Sequence, residues 1–170
     1  MAEVKVYISN LHTYNEGNTK GAWFTLPVTY EEVAEKIGCE ESDLILEEYA
    51  IHDYEAPYRI SEYDTIAKLN EDYRYLEEVL EFIPNQVDVG IIIKQCYDSI
   101  EELFNEVEDI TLYQVDSMEE VAGEIVEGNG ILDAMGDWSG YFNYAMLARD
   151  LEINGMYVHG NAGIYEIQRG

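Results

Sequence analysis

From Gln95 to Ala148 the chain carries no lysine, arginine or histidine, yet it holds 13 carboxylates. These are Asp98, Glu101, Glu102, Glu106, Glu108, Asp109, Asp116, Glu119, Glu120, Glu124, Glu127, Asp133 and Asp137. With no cationic side chain to pair with along the sequence, they repel one another, and the segment stays compact only if something holds it. The apolar residues threaded through it can do so: Ile100, Leu103, Phe104, Val107, Ile110, Leu112, Val115, Val121, Ile125 and Val126. The stretch therefore reads as a folded acidic surface and not as an acidic tail.

The whole chain shares this bias. It has 36 Asp and Glu against 9 Lys and Arg, a formal net charge of -27 over 170 residues. A 47% hydrophobic content with 15 tyrosines excludes a disordered chain, whatever the charge. DNA, RNA and anionic membranes are repelled by such a surface, whereas a basic protein or a cation is attracted. Cys39 and Cys96 are far apart, with no C-x-x-C and no Cys/His cluster, which fits two free thiols in a reducing cytoplasm. The opening Met-Ala-Glu-Val-Lys-Val-Tyr-Ile has no basic segment followed by an apolar one, so no signal peptide is expected. No run approaches about 18 apolar residues, so no transmembrane helix is expected either.

Taken in order, Val4, Val6 and Ile8 alternate with Lys5 and Tyr7, the pattern of a strand. Asn10 to Gly21 reads as a loop, and Ala22 to Leu26 as a second strand stopped by Pro27. Thr29 with Glu32 forms a capping box for a helix that ends at Gly38. Leu44 to Tyr54 reads as a third strand. From Ser61 to Leu80 the spacing is helical, in two short helices with a break near Asn70. Gln86 to Cys96 reads as a helix, although Gly90-Ile91-Ile92-Ile93 also fits a strand. Ser99 with Glu102 is a second capping box, opening a helix to Val107, and Ile110 to Val115 is a strand. Ser117 with Glu120 is a third, for a helix ending at Gly128-Asn129-Gly130. Tyr141 to Ile153 is a helix, and Met156–Val158 with Ile164–Ile167 form a terminal hairpin around Gly160 and Gly163. The expected class is α+β, in three small units: a mixed sheet plus helix over 1–60, a helical middle over 61–107, and a mixed α/β part over 108–170.

Signals for an enzyme are thin. Phosphate-binding, dinucleotide-binding and nucleophile-elbow motifs are absent. His12, His52 and His159 are scattered, and His52-Asp53 is better read as an ordinary surface pair than as half of a catalytic one. Adjacent acids such as Glu47-Glu48 and Glu119-Glu120 arise by chance in so acidic a chain. The calcium-loop pattern is absent. No catalytic residue, cofactor or metal is expected, so the acidic surface carries the functional reading. Duplex DNA bears one charge per ~3.4 Å on each strand. Helical neighbours three or four apart lie ~5–6 Å from each other, and Glu102 with Glu106, and Glu120 with Glu124 and Glu127, have that spacing. Rows of such acids approach the phosphate density of DNA, and a protein carrying them would enter basic DNA-binding grooves in its place. A salt-adapted acidic cytoplasmic protein and an acidic chaperone for basic proteins share the same composition.

The motifs also resemble a family. Val4-Lys5-Val6-Tyr7-Ile8, Asn10-Leu11, Tyr14-Asn15-Glu16-Gly17 and Gly21-Ala22-Trp23-Phe24 resemble the N-terminus of ArdA-type antirestriction proteins. So do Glu31-Glu32-Val33, Ile37-Gly38 and Glu48-Tyr49-Ala50-Ile51-His52-Asp53-Tyr54-Glu55. Tyr141-Phe142-Asn143-Tyr144, Leu147-Ala148-Arg149-Asp150-Leu151 and Gly163-Ile164-Tyr165-Glu166-Ile167 resemble that family's closing region. Asn143 and Ala148 depart from its pattern, standing where an acid and a glycine are expected. The resemblance implies a DNA mimic from a mobile genetic element such as a conjugative transposon. It would bind the DNA groove of the methyltransferase core of type I restriction-modification enzymes, blocking restriction and modification. It also implies an elongated, non-catalytic protein that forms a homodimer through its C-terminal part.

The acids expected to stand in for phosphates are Glu47, Glu48, Asp53 and Glu55 in one stretch without lysine or arginine. In the other they are Glu101, Glu102, Glu106, Glu108, Asp109, Glu119, Glu120, Glu124 and Glu127. Trp23-Phe24 and Tyr141-Phe142 are read as core or interface, Gly160 and Gly163 as hairpin-turn residues, and Arg149 as an ion-pair partner on its own helix or across a dimer.

Overall fold

The computed structural model describes residues 2–12 and 20–168. Tyr14-Asn15-Glu16-Gly17 and most of the expected loop lie outside the described residues. The chain is α+β, with eight α-helices among the described residues and two antiparallel three-stranded sheets.

The first sheet joins β1 (Lys5–Asn10), β2 (Gly21–Thr25) and β3 (Tyr49–Glu55) in the order β2-β1-β3. Its buried face carries Val6, Ile8, Phe24 and Ile51, which follows from the alternation of side chains along a strand. Helix α1 (Tyr30–Ile37) packs on it through Val33, Ala34 and Ile37. The capping box is complete: Glu32 N–H donates to Thr29 Oγ1, and Thr29 N–H donates to Glu32 Oε2. Gly38 closes the helix in the left-handed conformation at φ 72°.

The strand expected from Leu44 begins later. Residues Glu41–Ile45 form a short helix, α2, because Glu40 and Asp43 make their own capping box, and β3 starts only at Tyr49. Leu44 faces the core from α2.

Three helices follow: α3 (Ile66–Val79), α4 (Gln86–Cys96) and α5 (Ile100–Glu106). The expected break near Asn70 does not occur. The Asn70 amide points sideways, donating to Val28 O at 2.7 Å and accepting from Val28 N–H at 3.0 Å, so α3 runs through. Its start is Thr65, not Ser61; the Ser61 N–H is taken by Asp64 Oδ2 one turn earlier. Gly90 is helical, and it lets α4 approach the chain at Pro57: an added Cβ would lie 3.2 Å from Pro57 O. The second capping box is half formed. Ser99 accepts from Glu102 N–H, but Glu102 Oε2 takes the N–H of Asp98.

Core and polar contacts both cross residue 60. One buried cluster runs from Val4 to Val107 and takes in Val158, Tyr165 and Ile167 from the C-terminal end. Gln86 exchanges two hydrogen bonds with the backbone of Glu3, and Tyr49 Oη accepts the otherwise unsatisfied N–H of Ile66 at the start of α3.

The second sheet has β6 (Ile164–Glu166) between β4 (Thr111–Tyr113) and β5 (Tyr157–His159). The expected strand over 110–115 shrinks to three residues, its pairing limited by the length of β6. The helices beside it are α6 (Met118–Gly128), α7 (Ile131–Met135) and α8 (Tyr144–Asn154). Met118, Val121, Ala122, Ala148 and Ile164 form a second, smaller core. The expected helix start at Tyr141 moves to Tyr144, because Asn143 caps it by accepting the Met146 N–H and Gly136–Tyr141 form a separate 3-10 turn. Ala148 is buried in this core.

The two glycines near the terminal hairpin do different work. Gly163 sits at φ 151°, where a Cβ would fall 2.1 Å from Tyr113 O, so a glycine is required for β4 and β6 to approach. Gly160 instead makes room for Asp88: a Cβ there would lie 2.6 Å from Asp88 Cγ.

Candidate partner-binding surface

The thirteen acids singled out from the sequence distribute over five local structures. Glu47 and Glu48 follow α2, where the chain turns into β3. Glu47 takes a left-handed φ of 61°, unusual outside glycine, and the turn leaves Ile45 and Leu46 facing outward. Asp53 and Glu55 lie on β3. Glu101, Glu102 and Glu106 lie on α5, and Glu108 and Asp109 on the 3-10 turn that continues it. Glu119, Glu120, Glu124 and Glu127 lie on α6. Eleven of the thirteen are exposed, whereas Glu102 and Glu106 are half-buried.

Some of these carboxylates have structural work as well. Glu102 Oε2 accepts from Asp98 N–H at 2.8 Å, and Glu120 Oε2 accepts from the N–H groups of Asp116 and Ser117 at 2.8 and 3.2 Å. Each ties down the entry to its helix, where negative charge is favoured by the helix dipole. Asp53 Oδ1 accepts from Tyr54 N–H at 2.8 Å.

Three of the scarce cations are engaged by other acids. Lys5 pairs with Glu3 at 3.0 Å, Arg74 with Glu78 at 2.9 Å, and Lys68 with Asp64 and Asp72. The Lys5 ammonium is held above its ordinary pKa by the Glu3 hydrogen bond and charge, with Glu55 adding to them. Burial works to lower the pKa of Lys68, but the Asp72 hydrogen bond and the charges of Asp72, Asp64 and Glu101 outweigh it. Glu55 and Glu101 are therefore near a cation. At α2 the acids act on a thiol: burial pushes the Cys39 pKa up, and Asp43, Glu40 and Glu48 push it further. Cys39 stays protonated and a poor nucleophile. Cys39 and Cys96 are not joined in a disulfide, and the Cys96 thiol lies 3.3 Å from Met156 Sδ.

Several important side chains escaped the sequence. Asp88 looks like a first-turn surface acid, yet it is fully buried. Asp72 is buried beside Lys68. Of the Trp23-Phe24 pair only Phe24 joins the core; Trp23 is 42% exposed on the outer face of the first sheet, edge-on to Tyr7 at a centroid distance of 5.6 Å. Tyr141 is 80% exposed, beside Trp138. The signal available for Trp23 was its odd register on β2: Ala22 and Phe24 fall on one face, Trp23 and Thr25 on the other.

Among the described residues, no group of three or more His, Cys, Asp or Glu is placed to hold a metal ion, and no helix is long and apolar enough to cross a membrane. What the arrangement offers is fixed negative charge on a structured scaffold, suited to binding a basic surface.

No curated protein matches the chain. A family model described as "Antirestriction protein (ArdA)" matches residues 6–166, from β1 through β6, so the folded surface just described is that of a member of the ArdA family of antirestriction proteins.

Proposed function

We propose that this antirestriction protein acts as a DNA mimic: it binds the DNA groove of the methyltransferase core of type I restriction-modification enzymes and blocks restriction and modification together. The observation that carries this reading is the exposure of eleven carboxylates on structured elements, most of them in a segment without a base. A DNA-binding groove is built to desolvate a dense row of negative charges, and displacement of DNA by such a row needs no chemistry. The protein would therefore work in the cytoplasm as a binding partner, without catalysis.

Residues 108–170 are proposed to form a homodimer. Trp138, Tyr141, Met146 and Ile153 leave large apolar side chains in solvent on one short stretch of chain, more than a monomer of this charge needs to expose.

Competition for a purified type I methyltransferase core bound to labelled duplex DNA, repeated across a salt series, tests the mechanism. Displacement near stoichiometric amounts that weakens steeply as salt rises is expected. Failure to displace DNA from several type I enzymes, with the fold intact by circular dichroism, would remove the mimicry proposal.

A further inference from the structure

The outer face of the first sheet carries a feature that charge mimicry alone does not require. Trp23, Tyr7 and Asp53 stand in one row across β2, β1 and β3, because Tyr7 pairs with Trp23 on one side and with Asp53 on the other. Residues directly opposite in an antiparallel ladder point to the same face. The row therefore spans two strand spacings, about 10 Å, from an indole to a carboxylate. The next row repeats the theme, with Lys5 opposite both Thr25 and Glu55. Lys5 is engaged by Glu3 at 3.0 Å, so this neighbouring cation is already tied to an acid.

Tyr7 leans over Gly21 into space that any Cβ there would occupy, 2.7 Å from its ring and hydroxyl. Trp23 is edge-on to it, which leaves much of the indole open to solvent. An aromatic platform beside a carboxylate suits one kind of side chain best. An arginine laid along the row packs its methylene stem and the flat face of its guanidinium over the two rings while the N–H fork reaches Asp53, one strand spacing beyond Tyr7, whereas an ammonium is more strongly hydrated and lacks the flat surface.

We infer that the Trp23–Tyr7–Asp53 row is a docking face for an arginine side chain on the basic surface of the protein partner. The inference rests on the acidic surface being a protein-binding one, and it adds an arginine-selective contact to a field that otherwise attracts any cation. Charge complementarity selects the occupant: Asp53 and Glu55 disfavour an acidic or purely apolar partner.

Two short capped peptides, tetra-arginine and tetra-lysine with the same label, test the face without any restriction enzyme. Binding to the full chain is followed by anisotropy at low and moderate salt. The arginine peptide should bind more tightly, and Trp23→Thr should weaken it by about 3–10-fold while changing the lysine peptide by less than about 2-fold. Asp53→Asn, which keeps an acceptor for the Tyr54 N–H, should also weaken the arginine peptide selectively. Equal binding of the two peptides, or an equal loss for both in Trp23→Thr, would overturn the inference. In the DNA-displacement assay Trp23→Thr should lose a similar factor, with the loss persisting at high salt where charge is screened. A wild type that displaces DNA, with Trp23→Thr unchanged at every salt, would leave the mimicry reading standing and sink the arginine face.

Discussion

The Tyr165 hydroxyl donates to Asp88 Oδ2 at 2.8 Å, joining residues 77 positions apart in the sequence. Asp88 also accepts from the N–H groups of Asn161 and Ala162, so a fully buried carboxylate on α4 holds the turn of the terminal hairpin. The hydroxyl of Tyr165 is kept protonated by burial and by the Asp88 hydrogen bond and charge. A buried charge is tolerated only when its lone pairs are filled, and three donors do that here. Asp88→Ala should cost ~3 kcal/mol or more, because it strands two backbone N–H groups and a hydroxyl. Tyr165→Phe should cost ~1–2 kcal/mol, since the other two donors remain. Urea denaturation gives both numbers. A loss under ~1 kcal/mol for Asp88→Ala would mean that the hairpin is held by its apolar contacts alone.

Much of this fold was legible in the sequence, and the misses have physical causes. Helix α1, with its capping box and terminal glycine, was readable because the contacts that start and stop it are local. Asn70 was misread as a helix break, since its real partner is Val28, 42 residues away. Leu44 and Ile45 look like strand residues, yet the Glu40–Asp43 capping box turns them into helix. Asp88 could not be distinguished from the many surface acids, because what marks it is the distant hairpin that closes over it. The α6 acids were legible as exposed, since their helix and its apolar stripe are fixed by spacing. The pairs Ser99–Glu102 and Ser117–Glu120 showed in the sequence that these two acids turn back on their own helix starts, whereas the reach of Glu102 to the Asp98 N–H and of Glu120 to the Asp116 N–H is set by the path of the chain before each helix.

Alkaline pH should destabilise the second sheet. Tyr113 and Tyr157 both donate to Glu166, at 3.1 and 3.3 Å. Burial first, then the Glu166 charge and hydrogen bond, push both phenols up to about 12. An unfolded tyrosine titrates near ~10. Between those values the folded state holds protons that the unfolded state has released, so stability falls as pH rises. The contribution is fully present below about pH 10 and is lost by about pH 12. Denaturation midpoints measured across that window should drop, and the Tyr113→Phe and Tyr157→Phe variants should show a shallower fall. Equal slopes in wild type and variants would show that Glu166 does not hold these protons.

Charge spread over many acids makes single changes weak. Glu119, Glu124 and Glu127 are exposed on α6 and, unlike Glu120, are not needed to tie down its start. Each Glu→Gln change should alter partner affinity by less than ~1 kcal/mol, the scale of an exposed ion pair. The triple change should cost ~2–3 kcal/mol, which is roughly 30–150-fold in affinity. It should also flatten the salt dependence, because fewer charges remain to be screened. Displacement titrations at three or four salt concentrations read both effects. A single substitution that abolished binding would contradict distributed mimicry, as would a triple variant indistinguishable from wild type.

The apolar surface of the C-terminal part makes the last prediction. Trp138 and Tyr141 stand with ring centroids 5.7 Å apart, and they are 69% and 80% exposed in the monomer. Met146 and Ile153 are also exposed, on α8, whose inward face is already used by Ala148 in the second core. Two outward aromatics in a chain of charge -27 are unfavourable in water unless a second surface covers them. Mutual repulsion of two such chains opposes a dimer, so its affinity must come from the centre of the patch and should rise with salt. Sedimentation equilibrium should show a dimer for the wild type that tightens as salt increases. Trp138→Ser with Tyr141→Ser should shift it to monomer, raising the dissociation constant by about 100-fold or more, as expected for paired aromatic anchors. The two substitutions touch neither core, so circular dichroism should be unchanged. A dimer that survives them, or one that weakens as salt rises, would place the interface elsewhere.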